Sequence, residues 1–181
     1  MTFNQSESRS SVVPVTPEQL LMRLCELGIK TSTVDHPPLF TVEESRALRG
    51  ALPGGHCKSL FLTDKKKNLW LVVALEDELI DLRRLHQRLG CGRLSFAGAG
   101  EMMRILGVTP GSVTPFGLIN DRAQEVSVAL DQRMMAQELL NYHPLVNVKT
   151  TAIRSEDLLI FIRACGHAPC MVNVGERAET P

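Results

Sequence analysis

Between Gly107 and Leu118 the chain is barred from a long helix and from a central strand. Three glycines and two prolines fall within these twelve residues. Proline removes a backbone donor and clashes with the preceding helical turn, and glycine weakens a strand interior. The same stretch carries Val108, Val113, Phe116 and Leu118, so it is not a solvated linker. What remains is a tight loop held against a core. Gly111 is suited to positive φ and lets a ligand approach the backbone, while Pro110 and Pro115 fix φ on either side. A stiff loop of this kind suits a small polar ligand; a plain structural turn carries the same signature.

Leu69 to Leu75 is a nearly continuous apolar run of strand length, which predicts a central strand buried on both faces. The run Cys57 to Thr63 pairs with it across a turn at Asp64 to Asn68. Further strands are expected at Thr31 to Asp35, Leu94 to Phe96, Phe116 to Asn120, Glu125 to Leu130, Val148 to Ile153 and Pro169 to Val174. Thr16-Pro17-Glu18-Gln19 opens a helix with a Thr cap, Pro at the first helical position and a capping-box Gln. Helices are also expected at Thr41 to Gly50, Asp81 to Leu89, Glu101 to Leu106, Asp131 to Leu140, and after a Ser155 cap through Ala164. Mixed strands, helices and tight hairpins predict an α+β single domain with a mixed, mostly antiparallel β-sheet and surrounding helices. Residues 1–15 read as a disordered lead-in, 16–174 as the domain and 175–181 as a tail.

The 181 residues are enough for one well-buried core. Twenty basic residues balance twenty acidic ones, so a surface that coats long nucleic acid is excluded and any such contact is a local patch. No apolar run reaches bilayer-spanning length, and the Ser-rich start lacks a basic-then-apolar leader. No membrane partner is expected. Five cysteines without a CxxC pair are simplest as reduced thiols in a cytoplasmic protein, with no metal site. No GxGxxG, phosphate-binding P-loop or Gly-x-Ser-x-Gly elbow occurs, and no cofactor is expected.

Three kinds of residue can carry chemistry. Lys58 shares a strand face with Leu60 and Leu62. A cation there must reach solvent, where its stem packs and its head snorkels, or clamp an anionic or carbonyl oxygen. His143, in Tyr142-His143-Pro144, and His36, in Asp35-His36-Pro37-Pro38, sit at rigid breaks. Each can bond a substrate or simply satisfy a nearby carbonyl. His56 and His86 read as surface residues. Arg83, Arg84, Arg88 and Arg93 gather within eleven residues. Arg93, on a glycine-flanked turn, is suited to present a guanidinium to phosphate.

Taken together, these stretches resemble a known family. They are Asp35-His36-Pro37-Pro38; Pro53 to Leu62; Gly92-Arg93-Leu94-Ser95-Phe96; Leu106 to Leu118; and His143-Pro144-Leu145. In this order they resemble the YbaK/ProX family of aminoacyl-tRNA editing domains, most closely its free-standing alanyl-tRNA(Pro) deacylases (ProXp-ala or PrdX). The Gly-x-x-x-Pro element, Gly111 to Pro115, matches that family's catalytic loop.

The resemblance implies a hydrolase that removes a wrong amino acid from the acceptor end of tRNA(Pro), with prolyl-tRNA synthetase a candidate partner. It implies catalytic roles for Lys58, Gly111 and His143. Substrate contacts fall to Ser59, Ser112, Val113, Thr114, Pro115 and His36, and tRNA contacts to Arg93 and Lys58. Ser112 to Pro115 are the wall that limits side-chain size. Ser59 stands where family members often carry Asn, which shifts contacts toward the acceptor end. Another mischarged tRNA, such as cysteinyl-tRNA(Pro), and a non-catalytic module that binds tRNA or a synthetase are the alternatives.

Overall fold

A computed structural model describes residues 13–38 and 52–175. The helix expected over Thr41 to Gly50 lies outside the described residues. Among the described residues the strands are β1 (Thr31–Asp35), β2 (Gly55–Thr63), β3 (Leu69–Leu75), β4 (Ser95–Phe96), β5 (Val126–Asp131), β6 (Leu139–Tyr142), β7 (Lys149–Arg154) and β8 (Cys170–Val172). They form one sheet in the order β1-β7-β6-β2-β3-β5-β8, with β4 pairing a second stretch of β2. Four pairings are antiparallel and three parallel. The expected mixed α+β single domain is what forms.

Among the described residues, and apart from a three-residue turn at Ala99–Glu101, the α-helices are α1 (Pro17–Glu26), α2 (Leu82–Arg88), α3 (Gln132–Met135) and α4 (Ser155–Ala164). In α1 the Thr16 hydroxyl accepts from the Gln19 backbone and the Gln19 side chain accepts from Thr16 N–H, which satisfies two donors that a helix start otherwise leaves orphaned. Leu20 and Leu24 of α1, Leu158, Phe161 and Ile162 of α4, and Phe116 and Leu118 of the loop meet Phe61, Leu71, Val73 and Leu130 in the main core. A smaller core on the other side joins Leu62, Val72, Ala74 and Ala129 to Leu85 of α2 and to Val172 and Val174. Thus β3 is buried on both faces, as its unbroken apolar run requires. Among the described residues no helix is long and apolar enough to cross a membrane.

Three sequence expectations are corrected. Phe116 to Asn120 is not a strand: Pro115–Ile119 is a 3-10 helix, started by Pro115 and capped by the Thr114 hydroxyl, which accepts from Phe116 N–H. Asp131 to Leu140 is not one helix. Asp131 ends β5 and its carboxylate caps the single turn of α3 by accepting from Met134 N–H; the chain then extends into β6, which both β2 and β7 hold by pairing. Ser155 is the first residue of α4, and the cap is Arg154. In addition, Met102–Leu106 forms a π-helical turn that Gly107 closes at φ +66°, and His56 and His86 are half-buried rather than at the surface.

Candidate functional site

Strand β2 enters beside β6 through Pro53-Gly54-Gly55. Gly54 has φ +98°, and a Cβ there would sit 2.6 Å from the Leu139 carbonyl oxygen; only glycine permits so close an approach of the two strands. The parallel register then sets Gly55 level with Leu140 and His56 level with Asn141. Lys58 lies two residues beyond that pairing on β2, and His143 directly follows β6. The pairing of β2 with β3 places Lys58 opposite Ala74, so the turn after β3 lies beside the lysine.

That turn clamps the ammonium. Lys58 Nζ donates to the Glu76 carbonyl at 3.1 Å and to the Glu78 carbonyl. An ammonium has three N–H donors, and among the described residues two carbonyls take two of them, which fixes where the head group sits. Glu78 is itself braced: its carboxylate is 6% exposed and pairs with Arg133 of α3.

His143 lies in the same cluster. Its Nδ1 is 2.9 Å from the Lys149 carbonyl, which only accepts, so Nδ1 carries the proton and Nε2 the lone pair. Burial pushes the imidazole pKa below the ordinary 6.5; the Lys149 carbonyl opposes that shift in part, and nearby His36 adds to it. The ring is neutral at pH 7. The His36 ring lies 6.1 Å away, centroid to centroid. Its Nδ1 donates to the Pro37 carbonyl at 2.8 Å, and its Nε2 accepts from the Thr150 hydroxyl at 2.9 Å. Glu76 acts on the cluster twice, through its carbonyl on Lys58 and its charge on His143.

Gly111 sits at an exposed turn with φ +89° and open space where a Cβ would stand. The loop beyond it is firmly held. Ser112 is 3% and Thr114 1% exposed, Pro115 is buried and Val113 half-buried. Phe116 seats edge-on against Tyr142, the residue before His143, at 5.8 Å and against Phe161 at 5.5 Å. Ser59 is the neighbour of Lys58 on β2 and therefore projects from the opposite strand face, the face of Cys57 and Phe61.

Cys57 is not an activated nucleophile: burial pushes its thiol up to about 12, and the neutral thiol attacks poorly. Among the described residues no three His, Cys, Asp or Glu side chains converge as metal ligands. Arg93 is apart from this cluster. It is exposed and, with Arg83, His86 and Gln87 of α2 and its neighbour Leu94, lines a groove of about 530 Å³.

Sequence reasoning singled out Lys58, His143 and His36, which the structure gathers. It did not find the residues that orient them, namely Glu76, Glu78, Arg133, Lys149 and Thr150. Most act through backbone carbonyls, which leave no trace in side-chain identity. The predicted β2–β3 hairpin was the usable signal, since it brings residues 76–78 alongside Lys58.

The chain can now be set against known proteins. Residues 36–161 match the aminoacyl-tRNA editing domain family. The chain is 41% identical over 160 residues to the prolyl-tRNA synthetase associated domain-containing protein 1 of Mus musculus, covering 86% of this chain and 94% of that one. It is 34% identical over 151 residues to the prolyl-tRNA editing protein ProX of Acetoanaerobium sticklandii, covering 83% and 92%. A solved structure described as a candidate trans-editing enzyme for prolyl-tRNA synthetase superposes with a TM-score of 0.66 at 19% identity, covering 89% of this chain and 99% of that one; at that identity the likeness is one of fold. By its matched span and by its identity to these relatives, the chain belongs to the aminoacyl-tRNA editing domain family.

Proposed function

We infer that this protein is a trans-editing hydrolase that deacylates mischarged alanyl-tRNA(Pro) and spares prolyl-tRNA(Pro). The observation that carries the reading is the Lys58 ammonium, held by the Glu76 and Glu78 carbonyls, with His143 near the same Glu76 and its Nδ1 turned to the Lys149 carbonyl. An aminoacyl ester is already activated, so its hydrolysis needs placement of ester and water more than a strong nucleophile. In this account Lys58 holds an oxygen of the terminal adenosine or its phosphate. His143 aligns the site through its Nε2 lone pair. Backbone groups at Gly111 hold the substrate's α-amino group or the attacking water, and the vicinal ribose hydroxyl assists that water.

Size sets the specificity. In this account the loop Ser112 to Pro115 is the wall that limits side-chain size, and the packing of Ser112 and Thr114 into the core keeps that loop stiff. A pocket that accepts alanine and excludes proline is the second sieve of double-sieve editing. It is needed because a synthetase site built for a larger apolar residue rejects a smaller one only weakly. Contacts with the acceptor end fall to Lys58 and Arg93, and such an enzyme works in the cytoplasm, with prolyl-tRNA synthetase as a candidate partner. The names of the relatives, one an editing protein and others associated with prolyl-tRNA synthetase, support the reading.

Single-turnover deacylation with alanyl-, cysteinyl- and prolyl-tRNA(Pro) side by side tests it. Rapid loss of alanine with proline retained is expected. Preferential loss of cysteine would move the substrate within the same reaction, and retention of all three by folded protein would favour a binding module.

A further inference from the structure

Among the described aromatic side chains, Phe61, Phe116 and Phe161 are fully buried and Tyr142 is 4% exposed, yet Phe96 is 63% exposed. It is also fixed in place. Phe96 pairs opposite Leu62 in the β4–β2 ladder, and the next residue, Ala97, donates its N–H to the Phe61 carbonyl at 3.0 Å. Cross-strand partners share a face, so the ring stands on the face of β2 that carries Leu62, Leu60 and Lys58. Four residues of strand separate Leu62 from Lys58, about 13 Å. Leu94, two residues before Phe96, lines the groove that also holds Arg83 and Arg93. None of the described residues lining that groove is acidic. In its wall, His86 has a buried Nδ1 with no hydrogen-bond partner.

An exposed, backbone-fixed aromatic beside guanidinium groups has the chemistry that single-stranded nucleic acid recognises: bases stack on the ring while cations hold the phosphates. We propose that Phe96 is the stacking platform for an unpaired base of the tRNA acceptor end, whose backbone Arg83 and Arg93 hold in the adjoining groove. This rests on the tRNA reading above, and extends it from the reacting ester to the nucleotides before it.

Equilibrium binding of uncharged tRNA(Pro), labelled at its 5′ end and titrated at several salt concentrations, tests the proposal. Because the ring is exposed, Phe96→Ala should fold normally. It should weaken binding about 5- to 150-fold, the range for loss of one stacked base. Phe96→Trp should keep it. The slope of affinity against salt should not change with Phe96→Ala, because no phosphate contact is lost, whereas Arg83→Ala should lower it by about one ion. With a tRNA trimmed of its unpaired 3′ nucleotides, wild type and Phe96→Ala should bind alike. Equal affinity of wild type and Phe96→Ala for intact tRNA overturns the platform, as does an equal loss on trimmed tRNA or failure of the wild type to bind tRNA at low salt. A shift in oligomeric state with tRNA affinity unchanged would assign Phe96 instead to a contact between copies, and also overturns it. If Phe96-dependent binding persists in a protein that deacylates nothing, the hydrolase reading fails and the platform stands.

Discussion

Lys58 and His143 do different work because their surroundings differ. The Lys58 head group is held by two carbonyls, those of Glu76 and Glu78, which fix its position. His143 is held neutral, chiefly by burial, with its tautomer set by the Lys149 carbonyl. Its folded pKa lies below 6.5, so the unfolded chain takes up that proton first as pH falls. The stability tied to neutral His143 is therefore complete above pH 6.5 and is lost as pH drops through the lower folded value. Activity should follow the same group. The acid limb of kcat/KM should have its midpoint below 6.5, and His143→Asn should abolish that limb while lowering the plateau by roughly 10²-fold. A pH–rate profile checks this, and a midpoint above 6.5 that survives the substitution would remove His143 from the reaction. At this scale the sequence singled out Lys58, His143 and His36, since a lysine on an apolar strand face and histidines beside prolines stand out. It was silent about what orients them.

At the scale of the element, the turn after β3 is the part that makes a lysine into a directed donor. It is braced from α3, where Arg133 pairs with buried Glu78. Removing Arg133 leaves a buried carboxylate without its partner. Arg133→Met should cost about 2 kcal/mol in urea unfolding, less than the 3–5 kcal/mol of a fully buried pair because the Arg133 side chain is 48% exposed. It should also lower kcat roughly tenfold with KM little changed, because the ammonium then wanders from its aim. A fall in stability with kcat intact would make the brace structural only. The misread elements have physical causes at this same scale. Met134, Met135, Leu139 and Leu140 carry helix-like spacing, but the pairing of β6 with both β2 and β7 outweighs local propensity. The apolar run Phe116 to Ile119 looks like a strand, yet Thr114 and Pro115 start a helical turn whose Phe116 fills the core beside Tyr142 and Phe161.

At the scale of the molecule, the strands and helices with strong caps or long apolar runs were legible, as α1, β2, β3 and α4 show. The strand order was not. Which strands run parallel depends on where long connections return, and β2–β6, β3–β5 and β5–β8 join segments far apart in the chain. The same non-local closure brings His36 and His143 together. Charge is also a whole-molecule property. With basic and acidic residues balanced, the proposed function requires tRNA to be held over a small footprint, so the salt dependence of binding should be shallow. Arg93→Ala should reduce that slope by about one ion across otherwise matched titrations; an unchanged slope would remove Arg93 from the phosphate contacts.

The central claim is that the clamped Lys58 ammonium is required for ester hydrolysis. Single-turnover deacylation of alanyl-tRNA(Pro) by wild type and by Lys58→Ala, at saturating enzyme and with circular dichroism confirming the fold of both, tests it most directly. The account predicts rapid loss of alanine from wild type and a rate lower by roughly 100-fold or more in the variant, the scale for removing one directed donor. A folded Lys58→Ala protein that deacylates at the wild-type rate would contradict it.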